Sequence, residues 1–464
     1  MTTEIETINE TTKKQNALSL LKNRDFSAIF IGGFISNMGT WFTQIAIIFY
    51  ALTLVSHLPQ EEATQEVALL TTFTLLPMLL LAPLGGVIAD KYDRKKIMII
   101  ADLLGVCVTI SLIFANVIWH LYLLLTLSSS IRQFFFPART ASLPMMVERD
   151  RLLSANGFIQ TTNQLSRMLG PLIAGFVIAA WGYQVAFIID AISYAISAIM
   201  IFTIRHNLKA PQQEEKVSIK SVFVGMREGA KITFTDKIIG FVVISFAITI
   251  FAIGAIDPVA VPYLNFVFGL GEEDLGMMMM FSAFSGVIAA IGLSIKGKLD
   301  KKLAFMSYAT LALGISVGIL AFSPFMAGPI VWLYMGMALI GFTNVGFSIP
   351  FSTLLQKIVK NEHLGKVSGV IDTVITGASL IASVLAATLA KYISISLLLG
   401  IVSSIILVSG ITFVIITRTK KMDQTALQRE EEMRSSSLLK KREDEIPTFQ
   451  LETKDSDFLP TVNP

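Results

Sequence analysis

Long apolar runs separated by short polar connections dominate this chain. Twelve runs stand out, at 27–55, 67–89, 97–117, 119–138, 154–180, 184–204, 239–266, 277–296, 303–323, 329–350, 367–390 and 394–417. A helix needs about 20 apolar residues to cross a bilayer, and each run supplies them. The pattern predicts an all-α membrane protein of twelve transmembrane helices. Polar regions divide it into an N-terminus (1–26), a six-helix bundle (27–204), a central loop (205–238), a second six-helix bundle (239–417) and a charged tail (418–464). The tail carries Arg429-Glu430-Glu431-Glu432 and Lys440-Lys441-Arg442-Glu443-Asp444 with few aromatics, which predicts a disordered extension.

Charge fixes the phase of these spans. With the N-terminus in the cytoplasm and twelve alternating spans, 34 of the 37 Lys and Arg residues fall in cytoplasmic segments. The exceptions are Arg132 and Arg167, within spans, and Lys391 outside. The opposite loops carry Glu61, Glu62, Glu66, Glu272, Glu273 and Asp274. A wrong span count would scramble this alternation. Both termini are therefore expected in the cytoplasm.

The halves echo one another. Met146-Val147-Glu148-Arg149-Asp150-Arg151-Leu152 precedes the fifth span, and Ile358-Val359-Lys360-Asn361-Glu362-His363-Leu364 precedes the eleventh. The basic connection Asp90–Lys96 has a weaker counterpart in Lys296-Gly297-Lys298-Leu299-Asp300-Lys301-Lys302. Internal repeats of this kind characterise secondary transporters.

Composition narrows the chemistry. The chain is 53% hydrophobic and 15% charged, with a mean hydropathy of +0.67. Its single cysteine, Cys107, allows no disulfide, and four histidines show no metal-like spacing. No phosphate-binding glycine loop with a Lys-Ser or Lys-Thr ending occurs, so ATP is not the expected energy source. No nucleophile–base constellation suggests an enzyme. The first apolar run is too long for a cleavable signal.

Gly86-x-x-x-Asp90-Lys91-x-Asp93-Arg94-Lys95-Lys96 resembles the signature loop between the second and third spans of the major facilitator superfamily. The chain further resembles the branch holding macrolide-efflux proteins and enterobactin-type siderophore exporters. That likeness lies in Asn23-Arg24-Asp25-Phe26, Ser36-Asn37-Met38-Gly39-Thr40-Trp41, Phe136-Pro137-Ala138-Arg139, Leu143-Pro144 and Phe187-Ile188-Ile189-Asp190-Ala191. Leu169-Gly170-Pro171-Leu172-Ile173-Ala174-Gly175 is similar to the antiporter motif of proton-driven exporters, with Ser166 and Ala174 where that motif has glycine.

The resemblance implies two pseudo-repeat bundles working by alternating access. It implies proton-coupled efflux of a small amphipathic molecule, a macrolide-like drug or a siderophore, across a bacterial inner membrane. A multidrug-resistance role, a monomer, no cofactor beyond the proton gradient and no nucleic-acid partner go with it. A lysophospholipid carrier of the same fold is the alternative, and a non-transporting sensor or scaffold a third reading. The implied gate is Gly86, Asp90 and Arg94, with Asp90 pairing near Lys366 and Arg139 when the inner face closes. Gly170, Pro171 and Gly175 are the implied helix-packing motif.

Charges inside spans are costly, so they mark cavities or partners. Asp257, Arg132, Asp190, Arg167 and Asp102 are the candidates for proton coupling or substrate contact. Asp257 precedes Pro258 in an interrupted span, Arg132 has Asp102 as a possible partner, and Arg167 could neutralise Asp190. Polar stripes at helical spacing, Gln160, Asn163 and Gln164 with Arg167 on one span and Asn37, Trp41 and Gln44 on another, point to a cavity or to interhelical hydrogen bonds. Met277-Met278-Met279-Met280 reads as apolar filler.

Overall fold

The computed structural model describes residues 17–148, 151–209, 219–296, 299, 301–359, 361–419, 421–429 and 431–432. The N-terminus through residue 16, residues 210–218 of the central loop, residues 297, 298 and 300 of the basic echo and the tail from 433 lie outside the described residues.

The first half comprises α1 (Arg24–Leu54), α2 (Gln60–Lys91), α3 (Arg94–Leu112), α4 (Ile118–Met146), α5 (Leu152–Trp181) and α6 (Tyr183–Phe202). The central loop contains α7 (Ile219–Thr235). The second half comprises α8 (Lys237–Gly254), α9 (Asp257–Pro262) with a π-helical continuation at Tyr263–Val267, α10 (Glu272–Lys296), α11 (Lys302–Phe322), α12 (Pro329–Ile358), α13 (Asn361–Leu389) and α14 (Ile395–Thr419). Counting α8 and α9 as one broken span, this is the twelve-span arrangement. Nine spans among the described residues are apolar and long enough to cross a membrane by composition alone. The three that are not, α1, α3 and α4, supply most of the polar lining of the pocket described below.

Short polar residues start the helices where the sequence requires it. The Asn23 side chain accepts from the backbone N–H groups of Asp25 and Phe26, and Asp236 accepts from those of Ile238 and Ile239. Span seven breaks at Ala255–Ile256, just before Pro258, which has no N–H to continue the ladder.

The contacts repeat between halves. The pairings α1–α5, α1–α6, α2–α4, α3–α4 and α3–α6 recur as α8–α13, α8–α14, α10–α12, α11–α12 and α11–α14. The two main contacts across the halves, α5–α10 and α2–α13, exchange with one another under the same correspondence. The halves are therefore related by a pseudo-two-fold axis running along the bundle.

The cores distinguish the two ends. At the acidic end, which carries Glu61, Glu62, Glu272 and Glu273, one apolar cluster joins Ile45, Leu52 and Val67 of the first half to Val259, Leu275, Ala386 and Leu398 of the second. At the basic end each half closes its own core. One is built on Phe26, Met98, Leu143 and Ile204, the other on Ile239, Leu303, Leu354 and Val367. Polar contacts reinforce the acidic end: Thr72 and Ser383 hydroxyls lie 3.1 Å apart, Lys391 lies 3.7 Å from Glu62, and Tyr183 donates to Glu272 at 2.8 Å.

Three expectations need correction. Span four does not end at 138: α4 continues through Pro137 and Pro144 to Met146. The central loop is not all loop, since α7 packs on α13. The tail is not disordered from its start, because residues 422–429 are helical and bury Met422 and Ala426 in the second half's basic-end core.

Candidate functional site

A pocket opens between α1, α3, α4 and α6. Its wall includes Ser36, Asn37 and Thr40 of α1, Asp102 and Gly105 of α3, Ser128, Arg132 and Arg139 of α4, and Tyr194 of α6. Ile131, Phe135 and Phe136 form its apolar side. Asp102 and Arg139 are buried, and each keeps atoms without a hydrogen-bond partner: Oδ2 of Asp102, and Nε and Nη2 of Arg139. The glycine at 33 admits the Arg139 guanidinium, because a Cβ there would lie 2.6 Å from Nη2. Arg139 is also the positive group whose charge acts on Asp102, the part the sequence suggested for Arg132. Sequence reasoning placed Arg139 in a cytoplasmic loop and passed over Tyr194. The signal for Arg139 was present in its helical spacing from Arg132, but Pro137 between them read as a helix end.

The other candidates divide. Asp190 is buried and structural: Thr43 donates to its Oδ2 at 2.6 Å and Ser193 to its Oδ1 at 3.2 Å, tying α1 to α6. The cation acting on it is Arg132, not Arg167, which is exposed on α5. Asn37 donates to Asn163 at 2.8 Å, so the polar stripes of α1 and α5 meet there. Gln44, Gln160 and Gln164 are exposed. Trp41 packs on Gly170, where a Cβ would lie 2.6 Å from the indole ring, and Gly175 abuts the Glu272 carbonyl. The antiporter-like segment with Pro171 thus packs both α1 and the other half. Asp257 begins α9, a segment packed against α2 and α13, and its side chain is exposed.

The basic loop is held by its own residues. Asp93 caps α3 by accepting from the N–H groups of Lys95 and Lys96. Buried Arg94 donates to Ala89 O and Ala141 O, each at 3.0 Å, stapling the end of α2 to α4. Asp90 is exposed, with Arg94 at 3.5 Å. Neither expected gate partner meets it: Arg139 turns into the pocket, and Lys366 pairs with Glu228 of α7 at 2.5 Å. The glycine making the close approach is Gly85, where a Cβ would lie 1.9 Å from Gln133 O; at Gly86 it would meet open space. At this end the two halves keep separate apolar cores rather than sharing one.

Comparison with known proteins agrees with this architecture. The sequence model of the Major Facilitator Superfamily matches residues 29–383. Macrolide efflux protein A of Streptococcus pyogenes is 25% identical, over 86% of this chain and 97% of its own. The enterobactin exporter EntS of Salmonella choleraesuis is also 25% identical, over 76% of this chain and 82% of its own. The fold is similar to the crystal structure of a bacterial homologue of the iron transporter ferroportin in an inward-facing state, with a TM-score of 0.65, 15% identity, and coverage of 84% of this chain and 98% of that one.

Proposed function

The chain belongs to the major facilitator superfamily, and on that premise we propose that it exports a small amphipathic molecule by alternating access, driven by proton influx. The observation that carries this reading is the asymmetry of the cores: one cluster crosses the halves at the acidic end, and two separate clusters close the basic end. Short basic loops remain cytoplasmic, so the basic end faces the cytoplasm and this conformer faces inward. The pocket then takes cargo from the cytoplasm while the acidic end is shut.

Rocking the halves about their pseudo-two-fold would bring α2 and α13 together at the basic end. There Asp90 would meet the start of α13, and Gly86 would lie against it. Lys366 would have to leave Glu228. A macrolide-like drug or a siderophore is the cargo class suggested by the efflux relatives. The proton route runs through the spans' carboxylates. Asp257 is the first candidate, being exposed on a segment against both α2 and α13. A membrane potential supplies about 2.3 kcal/mol per charge per 100 mV, which sustains a useful gradient.

Everted bacterial vesicles that acidify their interior test this. Vesicles containing the protein should accumulate erythromycin or enterobactin and lose it on addition of a protonophore. Accumulation no greater than in vesicles lacking the protein, or unaffected by the protonophore, contradicts the reading.

A further inference from the structure

We propose that the pocket between α1, α3, α4 and α6 receives an oxyanion, so that the cargo is an amphipathic acid with its anionic group held by Arg132. This rests on the transporter reading and narrows its cargo to an acid of the siderophore type rather than a basic macrolide. The lining side chains include two guanidiniums and a single carboxylate. A guanidinium does not deprotonate in a protein, so the excess charge cannot be relieved by losing a proton. Asp190, behind the wall, lies within range to offset part of that charge, so what the pocket offers an oxyanion is the N–H donors of Arg132.

The donors are also unspent. Arg132 is half-buried on the pocket wall and forms no hydrogen bond or ion pair with the described residues. Arg139 is 5% exposed and its Nε and Nη2 have no partner. The two arginines differ in reach. The orphaned atoms of Arg139 are sealed against α1 and act through their charge, whereas Arg132 is accessible from the pocket. Asp190 lies within electrostatic range of Arg132 but outside the lining, and its oxygens are occupied by Thr43 and Ser193. It offsets part of the Arg132 charge without using its N–H groups. Asp102, inside the pocket with one free oxygen, opposes an anion and sets a limit on how tightly it is held. Ile131, Phe135 and Phe136 offer a surface for the apolar body.

The test is equilibrium binding to the full chain in phosphatidylcholine nanodiscs, with 11-(dansylamino)undecanoic acid, its uncharged methyl ester and dansylcadaverine as probes. Empty nanodiscs are subtracted. Wild type should bind the acid about tenfold more tightly than the ester, as a charge-assisted hydrogen-bonded pair implies. Arg132→Gln should abolish that preference while leaving ester binding in place, which also shows that the variant is folded. Arg132→Lys should recover part of it, and Asp102→Asn should tighten acid binding. Equal binding of acid and ester by wild type, tighter binding of the amine, or an undiminished preference in Arg132→Gln overturns the proposal.

Competition by lysophosphatidylglycerol assigns the oxyanion to a lipid headgroup, and resistance to it assigns a free acid; both outcomes retain the anion site. Acid binding without transport in the vesicle assay leaves the site standing and removes the export reading. Transport of a cationic drug without acid binding does the reverse.

Discussion

Asp25 shows how much one carboxylate organises at the basic end. It accepts from the backbone N–H groups of Arg205 and His206, each at 3.1 Å, and pairs with the His206 ring, binding the start of α1 to the segment after α6. Burial alone would raise its pKa, but these hydrogen bonds outweigh that and hold it below the ordinary 3.8. A depressed carboxylate stabilises the fold above the unfolded value and loses that contribution as pH falls through the folded one. Melting temperatures of wild type should therefore fall more steeply than those of Asp25→Asn as pH drops below 3.8, and parallel curves would contradict this. Asp257→Asn should leave the melting temperature near wild type but make substrate accumulation insensitive to pH; retained pH dependence would remove Asp257 from the proton route. The intramembrane charges were legible in the sequence because polar side chains among apolar runs stand out. Their partners were not: helical spacing tells which residues share a face, not which helix that face meets. Arg132 and Asp190 came within range of each other only because α4 and α6 both pack against α3.

Helix ends were less legible than helix centres. Pro137 reads as a terminator, yet α4 continues because the carbonyl it strands, Gln133 O, lies against Gly85 of α2. Gly85→Val should therefore be severely destabilising, since no side chain fits 1.9 Å from that carbonyl. Gly86→Val should fold normally, since a Cβ there meets open space, and under the proposed alternating access it should slow transport. Equal melting losses at both positions would contradict this distinction. The tail was misread for a similar reason: charge and low aromatic content describe 430–464, but Met422 and Ala426 just before it are buried. Asp423 accepts from the N–H groups of Leu303 and Ala304, capping α11 at long range, and Arg429 pairs with Asp236. Asp423→Ala should cost about 1 kcal/mol of stability, as lost helix caps do. Truncation after 419 should lower the melting temperature, since it removes Met422, Asp423 and Ala426.

At the scale of the whole molecule, the twelve spans and their duplication were readable from hydropathy and basic loops, since both follow from the bilayer. Which end shares a core across the halves was not, because hydropathy does not tell which faces of different helices meet. The merged core at the acidic end therefore carries the account. Thr72 and Ser383 meet across it at 3.1 Å, within reach of a disulfide after a small adjustment. The direct measurement is vesicle transport by Thr72→Cys/Ser383→Cys in a Cys107→Ser background, before and after oxidation. Alternating access predicts full activity when reduced, loss of transport in proportion to cross-linking, and recovery with reductant. Undiminished transport by fully cross-linked protein would contradict it.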